Sequence, residues 1–592
     1  MSFSTNPVTL VIQASLLCTA GLLILSLLSF LFIPKPLANI PYTRSSAWIA
    51  WGDLLSLALH NFRTHEVFDW LDKQCIKHTS PIVQVFLPNY SITRPVVIVT
   101  DQQEIEDITI RRSAIFDRTP LMHAWFDVLF PRSTVTMQTT PEFKEKRRLF
   151  LTVLQNAFMT NVTAPCIYQA SQRLLQLWER KMHAAGGFPF DASEDIQQTM
   201  VEMIVPMLTG THIDLLNSKK EQIGDDTVRH RGNVANFRAY YPPLYNALQT
   251  LSFYLDLTTQ GISPPVYMWV FKKLPTFRKA QKTMDIFLTQ IIGASRERLS
   301  KSPATNSGQV TCATDQVLRC HPRDGMPDYR EHDEFLKDEL LQLIIVGQSS
   351  TSSTPAWTLK WLADCPVAQH RLRQALLSAY PSIADSHGAT PSLSHLLSIN
   401  VPYLEAVIAE TFRLSRVGPA SFRHTTVDTQ ILGRFIPAHT NVMLVTDGPS
   451  QVLTKPLPVN AVDRSDSSRK SAHRWPTWPH RNDLHEFKPE RWLRDEVDEK
   501  SCPITLFNAK AGPLLPFSAG PRGCYGQKIA MMELRILLTM LVLRFKFVQL
   551  PSELSKYSSY DGLTKTPSCC YVKLEKVDEA VVVEEAQSLE PA

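Results

Sequence analysis

The residue best placed to do chemistry in this chain is Cys524, within the run F-S-A-G-P-R-G-C-Y-G at 517–526. Glycines surround this cysteine, an arginine stands two residues before it, and apolar residues at helical spacing follow from Gln527 to Leu543. The N–H groups and the dipole of that predicted helix would favour a thiolate over a thiol. The glycines would permit positive φ angles and would let a flat group approach the backbone closely.

Haem is the flat cofactor that takes one thiolate ligand, so Cys524 is interpreted as the axial ligand of a haem iron. The simpler alternative is a structural cysteine in a Gly/Pro turn, which is the commoner fate of a single cysteine. The complete pattern F-x-x-G-x-R-x-C-x-G, from Phe517 to Gly526, favours the haem ligand. This pattern resembles the haem-binding loop of the cytochrome P450 superfamily, and the resemblance implies that Phe517, Arg522 and Gly526 contact the cofactor.

The resemblance extends over nearly the whole chain and is strongest to fungal biosynthetic members of the superfamily. It implies a cytochrome P450 fold at residues 46–575, mainly α-helical with a small β-rich lobe. The implied activity is that of a haem-thiolate monooxygenase, which activates dioxygen and hydroxylates or epoxidises a hydrophobic small molecule in secondary-metabolite biosynthesis. The implied electron donor is NADPH–cytochrome P450 reductase, with cytochrome b5 as a further candidate partner.

A second motif is the E-x-x-R pair of Glu410 and Arg413, which share one face of a predicted helix. Alone, such a pair is usually a solvated surface bridge worth less than ~1 kcal/mol. The later run F-K-P-E-R, which ends at Arg491, changes this interpretation. Together the three residues resemble the buried charge cluster behind the haem in family members. The implied role is structural, namely to lock the loop that carries Cys524.

Haem carries two propionates, which need fixed cationic donors. The best candidate is Arg522, two residues before the ligand. By resemblance, Arg423 matches a family position that faces a propionate. Arg147 matches the arginine of a W-x-x-x-R pattern in which Phe143 replaces the tryptophan. For Arg147 an ordinary basic helix face remains an alternative.

The helix predicted to cover the haem departs from the family pattern A/G-G-x-D/E-T-T. Alignment on Gly347 puts Ser349 at the acid position and Ser350 at the alcohol position, followed by Thr351. We expect Gly347 to make room over the porphyrin, and Ser350 and Thr351 to hold water and deliver protons. Ser349 cannot act as a general acid, because its hydroxyl does not ionise in the working range. A haem-thiolate isomerase, a dehydratase or a peroxide-using enzyme therefore remains an alternative function.

Composition excludes several other classes of protein. The net charge is only +5, and no dense basic stripe interleaved with aromatics indicates nucleic-acid binding. The ten cysteines form no CxxC pair, which argues against a zinc site or a secreted disulfide framework and favours a reducing compartment. No flavin or nicotinamide domain follows the Cys524 loop, so the electrons must come from another protein.

Residues 8–33 carry no charged side chain, and this stretch exceeds the ~20 residues that span a bilayer. A cleaved signal peptide is less consistent with the sequence, since no Lys or Arg precedes the apolar run. Lys35 and Arg44 follow it, which places the body of the protein on the cytoplasmic side. We predict a single-pass anchor at 8–33 in the endoplasmic reticulum membrane, a proline-rich neck at 34–45 and an acidic disordered tail at 576–592.

Local patterns predict the surroundings of these motifs. The β-branched runs at 82–86 and 96–99 predict a hairpin in the small lobe. Two stretches rich in Pro, Ser and charges, 301–332 and 447–478, predict surface loops or insertions. By resemblance, the substrate walls lie at 116–130, 345–351 and 417–422, whose content is mostly apolar.

Overall fold

The structure is a computed structural model. It describes residues 35–49, 51–88, 90–91, 94–224, 228–238, 240–260, 264–301, 310–320, 329–381, 390–478, 480–497 and 503–577. The predicted anchor at 8–33 and nearly all of the predicted tail lie outside these residues. Within them, no helix combines the length and the apolar character needed to cross a bilayer. Residues 35–43 of the predicted neck form neither helix nor strand.

Helices make up most of the described chain, as the sequence predicts. They are α1 (Leu54–Thr64), α2 (Val67–Lys77), α3 (Gln102–Ile110), α4 (Pro120–Phe126), α5 (Pro141–Leu151), α6 (Ala164–Ala185), α7 (Ser193–Thr209), α8 (Leu216–Glu221), α9 (Pro243–Gln260), α10 (Pro264–Phe271), α11 (Pro275–Lys301), α12 (Ala313–Cys320), α13 (Tyr329–Asp364), α14 (Pro366–Ala379), α15 (Leu393–Ser398), α16 (Pro402–Ser415), α17 (Asp466–Ser471) and α18 (Gln527–Arg544). A helical turn at Asn156–Phe158 and a π-helical turn at Met159–Thr163 lead into α6, and short 3₁₀ turns lie elsewhere.

The strands are short and form small sheets. They are β1 (Ile82–Val85), β2 (Val96–Val99), β3 (Phe116–Arg118), β4 (Phe190–Asp191), β5 (Arg229–Arg231), β6 (Val234–Asn236), β7 (Ala420–Thr425), β8 (Thr429–Ile431), β9 (Arg434–Ile436), β10 (Asn441–Val445), β11 (Leu493–Val497), β12 (Pro503–Phe507), β13 (Phe545–Phe547), β14 (Ser559–Asp561), β15 (Lys565–Pro567), β16 (Tyr571–Val572) and β17 (Leu574–Lys576). The largest sheet has five strands in the order β1-β2-β10-β7-β3.

This five-stranded sheet brings distant parts of the chain together. β1 and β2 pair antiparallel with Ile82 opposite Val99, which confirms the predicted hairpin. β10 lies parallel to β2 and antiparallel to β7. β3 pairs with β7 so that Arg118 lies opposite Arg423. Two arginines from remote segments therefore become neighbours on one sheet.

Helix α13 holds its polar middle between two apolar ends. Near its start, Leu340 and Ile344 belong to one hydrophobic cluster. Near its end, Leu359 and Leu362 belong to another. The Ser/Thr run at 349–354 lies between these packed ends, so its hydroxyl groups are held by the burial of the flanking residues.

The two stretches predicted as surface loops or insertions contain helices and buried side chains, so neither is a surface loop throughout. The first contains the end of α11, helix α12 and the start of α13, and Ala313 and Val317 of α12 are buried. The second contains α17 and several 3₁₀ turns, and it buries Gln451 and Trp478. Burial of a few side chains in each segment outweighs a composition that is typical of loops.

The turn between β14 and β15 bridges helices α9 and α13. Leu563 in this turn donates its backbone N–H to the Asp256 carboxylate of α9 at 2.8 Å. A Cβ atom at Gly562 would lie 2.6 Å from the same carboxylate, so the close approach requires glycine. Thr564 forms a hydroxyl hydrogen bond of 3.1 Å with Ser349 of α13. Burial raises the pKa of Asp256 to about 6.

We expect the Asp256→Asn variant to be stabilised at neutral pH. Its amide oxygen can still accept from Leu563, and the cost of ionising a buried carboxyl group disappears. Between the ordinary pKa of 3.8 and about 6, folded wild-type protein binds more protons than the unfolded chain, so its stability falls as the pH rises.

Urea unfolding of the full chain in detergent, at several pH values, measures this effect. Above pH ~7 the variant should have a free energy of unfolding roughly 2 kcal/mol higher, relative to wild type, than it has near pH 4. A difference between the two proteins that does not change with pH would contradict this assignment.

Candidate active site

The Cys524 loop is a tight turn held by its own backbone. Cys524 donates its N–H to the carbonyl of Phe517 at 2.8 Å, and Gly523 donates to the carbonyl of Gly520 at 3.0 Å. Helix α18 begins at Gln527, where the sequence predicts it. The cysteine therefore lies three residues before the start of a long helix.

The glycines of this loop serve different purposes. Gly520 has a φ of 71°, and a Cβ atom there would lie 1.9 Å from the carbonyl oxygen of Thr109 in α3. Gly523 and Gly526 have negative φ values of −58° and −81°, so the prediction of positive φ is wrong for both. At Gly526 nothing lies within 4 Å of an added Cβ, which leaves the space that a flat group would use.

The protonation of Cys524 differs from the simplest expectation. Burial raises the pKa of its thiol and outweighs the backbone N–H groups of Gly526 and Gln527 and the charge of Arg147, which act in the opposite direction. The start of the helix is therefore not sufficient to produce a thiolate. A bound metal cation deprotonates a coordinating thiol outright.

Cys524 lines a cavity of about 440 Å³. The same cavity is lined by Val346, Gly347, Ser350 and Thr351 of α13. Most of the remaining wall is apolar, including Val135, Phe143, Phe150, Val153, Ile204, Met207, Leu208, Phe412 and Val417, and Phe517 also contributes. A space with these walls suits a flat cofactor and a hydrophobic molecule.

Three arginines line this cavity: Arg118, Arg147 and Arg522. Arg522 donates from Nε to the Thr139 hydroxyl at 2.8 Å and from Nη2 to the Met137 carbonyl at 2.7 Å. Its Nη1, like the Nε of Arg118, is buried without a partner among the described residues. Burial lowers the pKa of Arg118 well below its usual range, and repulsion by Arg522 and Arg423 adds to this effect.

The predicted propionate donors are therefore found in part. Arg522 and Arg147 line the cavity, and Arg147 donates to the Gly523 carbonyl at 3.0 Å. Arg423 is not among the lining residues; it donates to the Phe422 carbonyl at 2.9 Å, and burial lowers its pKa to about 10. Sequence reasoning missed Arg118, whose place depends on its pairing with Arg423 across β3 and β7.

The residues present fit haem. Asp117 lies 3.7 Å from Arg522 Nη2. Arg118 Nε and Arg522 Nη1 are nevertheless buried without a partner among the described residues, so these guanidinium N–H groups need anionic acceptors. Two propionates supply such acceptors, and Cys524 on the same cavity supplies a ligand for iron. Cys524, Arg118, Arg147 and Arg522 are therefore the residues that would hold the group.

The buried charge cluster is centred on Glu410, which has no exposed surface. Arg413 donates to both of its oxygens at 2.8 Å, and Arg491 donates to Oε1 at 2.9 Å. The Lys488 N–H and the Trp492 indole N–H each add a bond of 2.9 Å. The structure thus places Glu410, Arg413 and Arg491, which the sequence motifs group together, in one buried cluster.

The cluster is connected to the cysteine loop by packing and hydrogen bonds. Arg413 donates to the Gln451 carbonyl at 2.8 Å, and the Gln451 side chain donates to the carbonyl of Pro513. The Trp478 ring lies 2.1 Å from where a Cβ atom of Gly512 would be, so glycine is required there. On α16, the Phe412 ring packs edge-on against Phe517, with ring centroids 5.3 Å apart.

The hydroxyl groups of α13 divide into two sets. Ser350 and Thr351 line the cavity and donate to the carbonyls of Val346 and Gly347, one turn earlier. Ser349 does not line the cavity, and its hydroxyl bonds to Thr564 instead. The residue at the usual acid position therefore attaches the β14–β15 turn to α13.

Gly347 lines the cavity and also lies against helix α7. A Cβ atom at this position would lie 2.0 Å from Cδ1 of Ile204. The glycine therefore admits the Ile204 side chain from α7, although its backbone also lines the cavity. Close packing of α7 against α13 is the constraint at this position, and no local sequence pattern reveals it.

The predicted substrate walls are found in part. Of the stretch 116–130, Arg118 lines the cavity, whereas Trp125 and Phe126 are buried in a hydrophobic cluster. The stretches 345–351 and 417–422 contribute as predicted. Sequence reasoning missed the apolar wall formed by Phe143 and Phe150 of α5, and also the carboxyl groups of Asp447 and Glu533, which line the cavity.

Comparison with known proteins supports the same assignment. The family model described as Cytochrome P450 matches residues 45–448 and 480–574. The cytochrome P450 monooxygenase TRI13 of Fusarium sporotrichioides is 32% identical over 580 residues, which cover 92% of this chain and 96% of that protein. The cytochrome P450 monooxygenase GME11363 of Pestalotiopsis microspora is 30% identical over 97% of this chain and 99% of its own length.

A third relative, the cytochrome P450 monooxygenase xilC of Penicillium rubens, is 30% identical over 89% of this chain and 90% of its own length. The match to the family model covers the Cys524 loop, the charge cluster and α13. The chain belongs to the cytochrome P450 family.

Proposed function

We propose that this chain is a fungal haem-thiolate monooxygenase that hydroxylates or epoxidises a hydrophobic small molecule in secondary metabolism. The observation that carries the proposal is one cavity whose walls include Cys524, unpaired arginine N–H groups and the hydroxyl face of α13. The names of its fungal relatives support the same class of reaction. Measuring oxygenated product against NADPH and dioxygen consumed, with a reductase present, tests the proposal.

The residues on different sides of the cavity are assigned different roles in the reaction. When haem is bound to Cys524, it supplies the redox chemistry that activates dioxygen. Arg118, Arg147 and Arg522 would hold the propionates, while the apolar walls exclude water and orient the substrate. Ser350 and Thr351 would hold protons at their hydroxyl oxygens beside the reacting molecules.

The cluster of Glu410, Arg413 and Arg491 is assigned a structural role. Its contacts through Gln451 and Phe412 reach both ends of the segment that leads to Cys524. These contacts support the proposal that the cluster holds the cysteine loop in place.

A haem-thiolate isomerase, dehydratase or peroxide-using enzyme is the second candidate function. It is favoured by Ser349, which stands at the acid position and bonds to Thr564 rather than lining the cavity. Such an enzyme would form product without consuming NADPH and dioxygen in proportion.

The proposed location is the endoplasmic reticulum membrane, with a single-pass anchor at 8–33 and the catalytic domain at 46–575 in the cytoplasm. The uncharged run at 8–33 supports the anchor. Next to the proline-rich neck, Trp48 is 75% exposed and Phe62 of α1 is 82% exposed, and both suit a membrane surface. The proposed electron donors are NADPH–cytochrome P450 reductase and cytochrome b5.

We expect Cys524→Ala to abolish the absorption band of thiolate-ligated haem in the carbon monoxide difference spectrum of the reduced protein. The reason is that alanine offers no sulfur to the iron. Cys570→Ala is a control, because Cys570 is a fully buried cysteine that does not line the cavity. A Cys524→Ala protein that retains the band would overturn the ligand assignment.

We expect Glu410→Gln to destabilise the fold by about 3–5 kcal/mol, because it leaves two buried arginines without their carboxylate. Urea unfolding and the amount of haem retained per chain measure the effect. The control is Glu490→Gln, at a glutamate that is 31% exposed and bonds to Tyr403 and Arg371. It should cost less than ~1 kcal/mol. Equal losses in the two variants would contradict the structural lock.

A further inference from the structure

Bound haem would satisfy only part of the polar lining of the cavity. Its propionates are carboxylates, which accept hydrogen bonds, and a porphyrin that holds iron has no N–H group left to donate. The arginine N–H groups therefore gain partners when haem binds, but an oxygen atom that needs a donor does not. Such an oxygen must be served by water or by the substrate.

Asp447 presents an oxygen of this kind. It follows β10 and lines the cavity, with 1% of its surface exposed. Its Oδ1 is buried without a partner among the described residues. The preceding residue, Thr446, donates its N–H to the Pro419 carbonyl at 3.0 Å and its hydroxyl to the Gly418 carbonyl at 3.2 Å. The backbone that carries the carboxyl group is therefore held by the pairing of two chain segments.

The charge of Asp447 is balanced from behind the cavity wall. Burial raises its pKa to about 7, Arg416 acts to lower it, and Asp72 acts to raise it. Arg416 does not line the cavity and is bonded through Nη1 to Asp72. A positive charge is thus already present on the side of Asp447 that faces away from the cavity. A neutral donor is therefore sufficient on the cavity side.

The propionates would lie in another part of the cavity. None of the arginines assigned to them is among the charged groups that shift the pKa of Asp447. The charges that act on Arg522 are those of Asp117, Arg423 and Arg147, and Asp447 is not among them. Asp447 is therefore separate from the group of residues that would hold the propionates.

A second oxygen without a partner lies on the α13 wall. Gln342 lines the cavity, and its Oε1 is buried without a partner among the described residues. Other polar side chains of α13 are bonded to protein, Gln348 to Ser252 at 3.0 Å and Ser349 to Thr564 at 3.1 Å. Most of the remaining wall is apolar. Acceptor oxygens on two walls of an apolar space suit an apolar skeleton that carries hydroxyl groups.

We propose that Asp447 anchors a hydroxyl group of the substrate, so that the substrate is an apolar molecule that is already hydroxylated. This inference rests on the proposed monooxygenase function of the same cavity. The substrate hydroxyl donates to Oδ1 and supplies the partner that the folded chain lacks, while the apolar walls hold the skeleton. A reaction that installs a hydroxyl group must therefore act before this enzyme.

Ligand binding to the resting holoenzyme tests the anchor without turnover. Adamantane, 1-adamantanol and 1-adamantylamine are rigid probes that differ in a single group. Their Kd values are measured from the change in haem absorption on binding, at pH 8, above the pKa of Asp447. Wild type should bind 1-adamantanol about tenfold more tightly than adamantane, because the alcohol alone donates to the buried carboxylate.

Three variants make the test specific. Asp447→Leu removes the acceptor at similar volume, and the alcohol and the hydrocarbon should then bind equally. Asp447→Asn keeps an acceptor oxygen without the charge, and about threefold preference for the alcohol should remain. Asp561→Asn is the control, at an aspartate that is 2% exposed, accepts from the Phe68 N–H and does not line the cavity. It should keep the tenfold preference. The carbon monoxide difference band shows that each variant retains haem on Cys524.

Several results would overturn the anchor. Equal affinity of wild type for adamantane and 1-adamantanol would mean that water alone serves Asp447. Tighter binding of 1-adamantylamine than of 1-adamantanol, lost in Asp447→Leu, would assign a cationic substrate instead. If Asp447→Leu retains no haem, a preference in Asp447→Asn equal to that of wild type excludes the anchor. Wild type that consumes no NADPH would contradict the monooxygenase function, whereas binding measured without NADPH still decides the role of Asp447.

Discussion

The carboxylate of Glu410 is fully buried, and a buried charge costs several kcal/mol unless donors surround it. Arg413, Arg491, Lys488 and Trp492 donate hydrogen bonds to this carboxylate and so compensate for the cost of its burial. Each donor must keep its place for the charge to be tolerated, so the segment around 488–492 is fixed against α16. The aromatic contact of Phe412 on α16 with Phe517 connects this cluster to the loop in which Cys524 lies.

The arginines beside the cavity differ from those around Glu410, because they have no such set of partners. Around Glu410 every charge finds its counterpart within the chain, whereas Arg118 and Arg522 each keep a buried N–H without a partner among the described residues. Beside the cavity, the folded chain therefore has buried arginine N–H groups that lack negatively charged acceptors among the described residues. Because haem would bring two carboxylates, its binding should contribute to the stability of the folded state as well as to chemistry.

A feature of the structure can be predicted from the sequence when the residues that determine it lie close together in the chain. Helix α18, the pairing of Glu410 with Arg413 and the β1–β2 hairpin follow from residues close together in the chain. The positions of Arg118, Gly347 and Ser349 do not, because their partners Arg423, Ile204 and Thr564 come from remote segments.

The segment 449–479 has no counterpart in the family model, yet it contains both Gln451 and Trp478. The first joins Arg413 to Pro513, and the second fills the space above Gly512. An addition of this kind would ordinarily be trimmed when a minimal or chimeric enzyme is built. Here its removal would delete the Gln451 and Trp478 contacts to Pro513 and Gly512, in the segment that leads to the Cys524 loop, so this insertion should be transplanted together with the core.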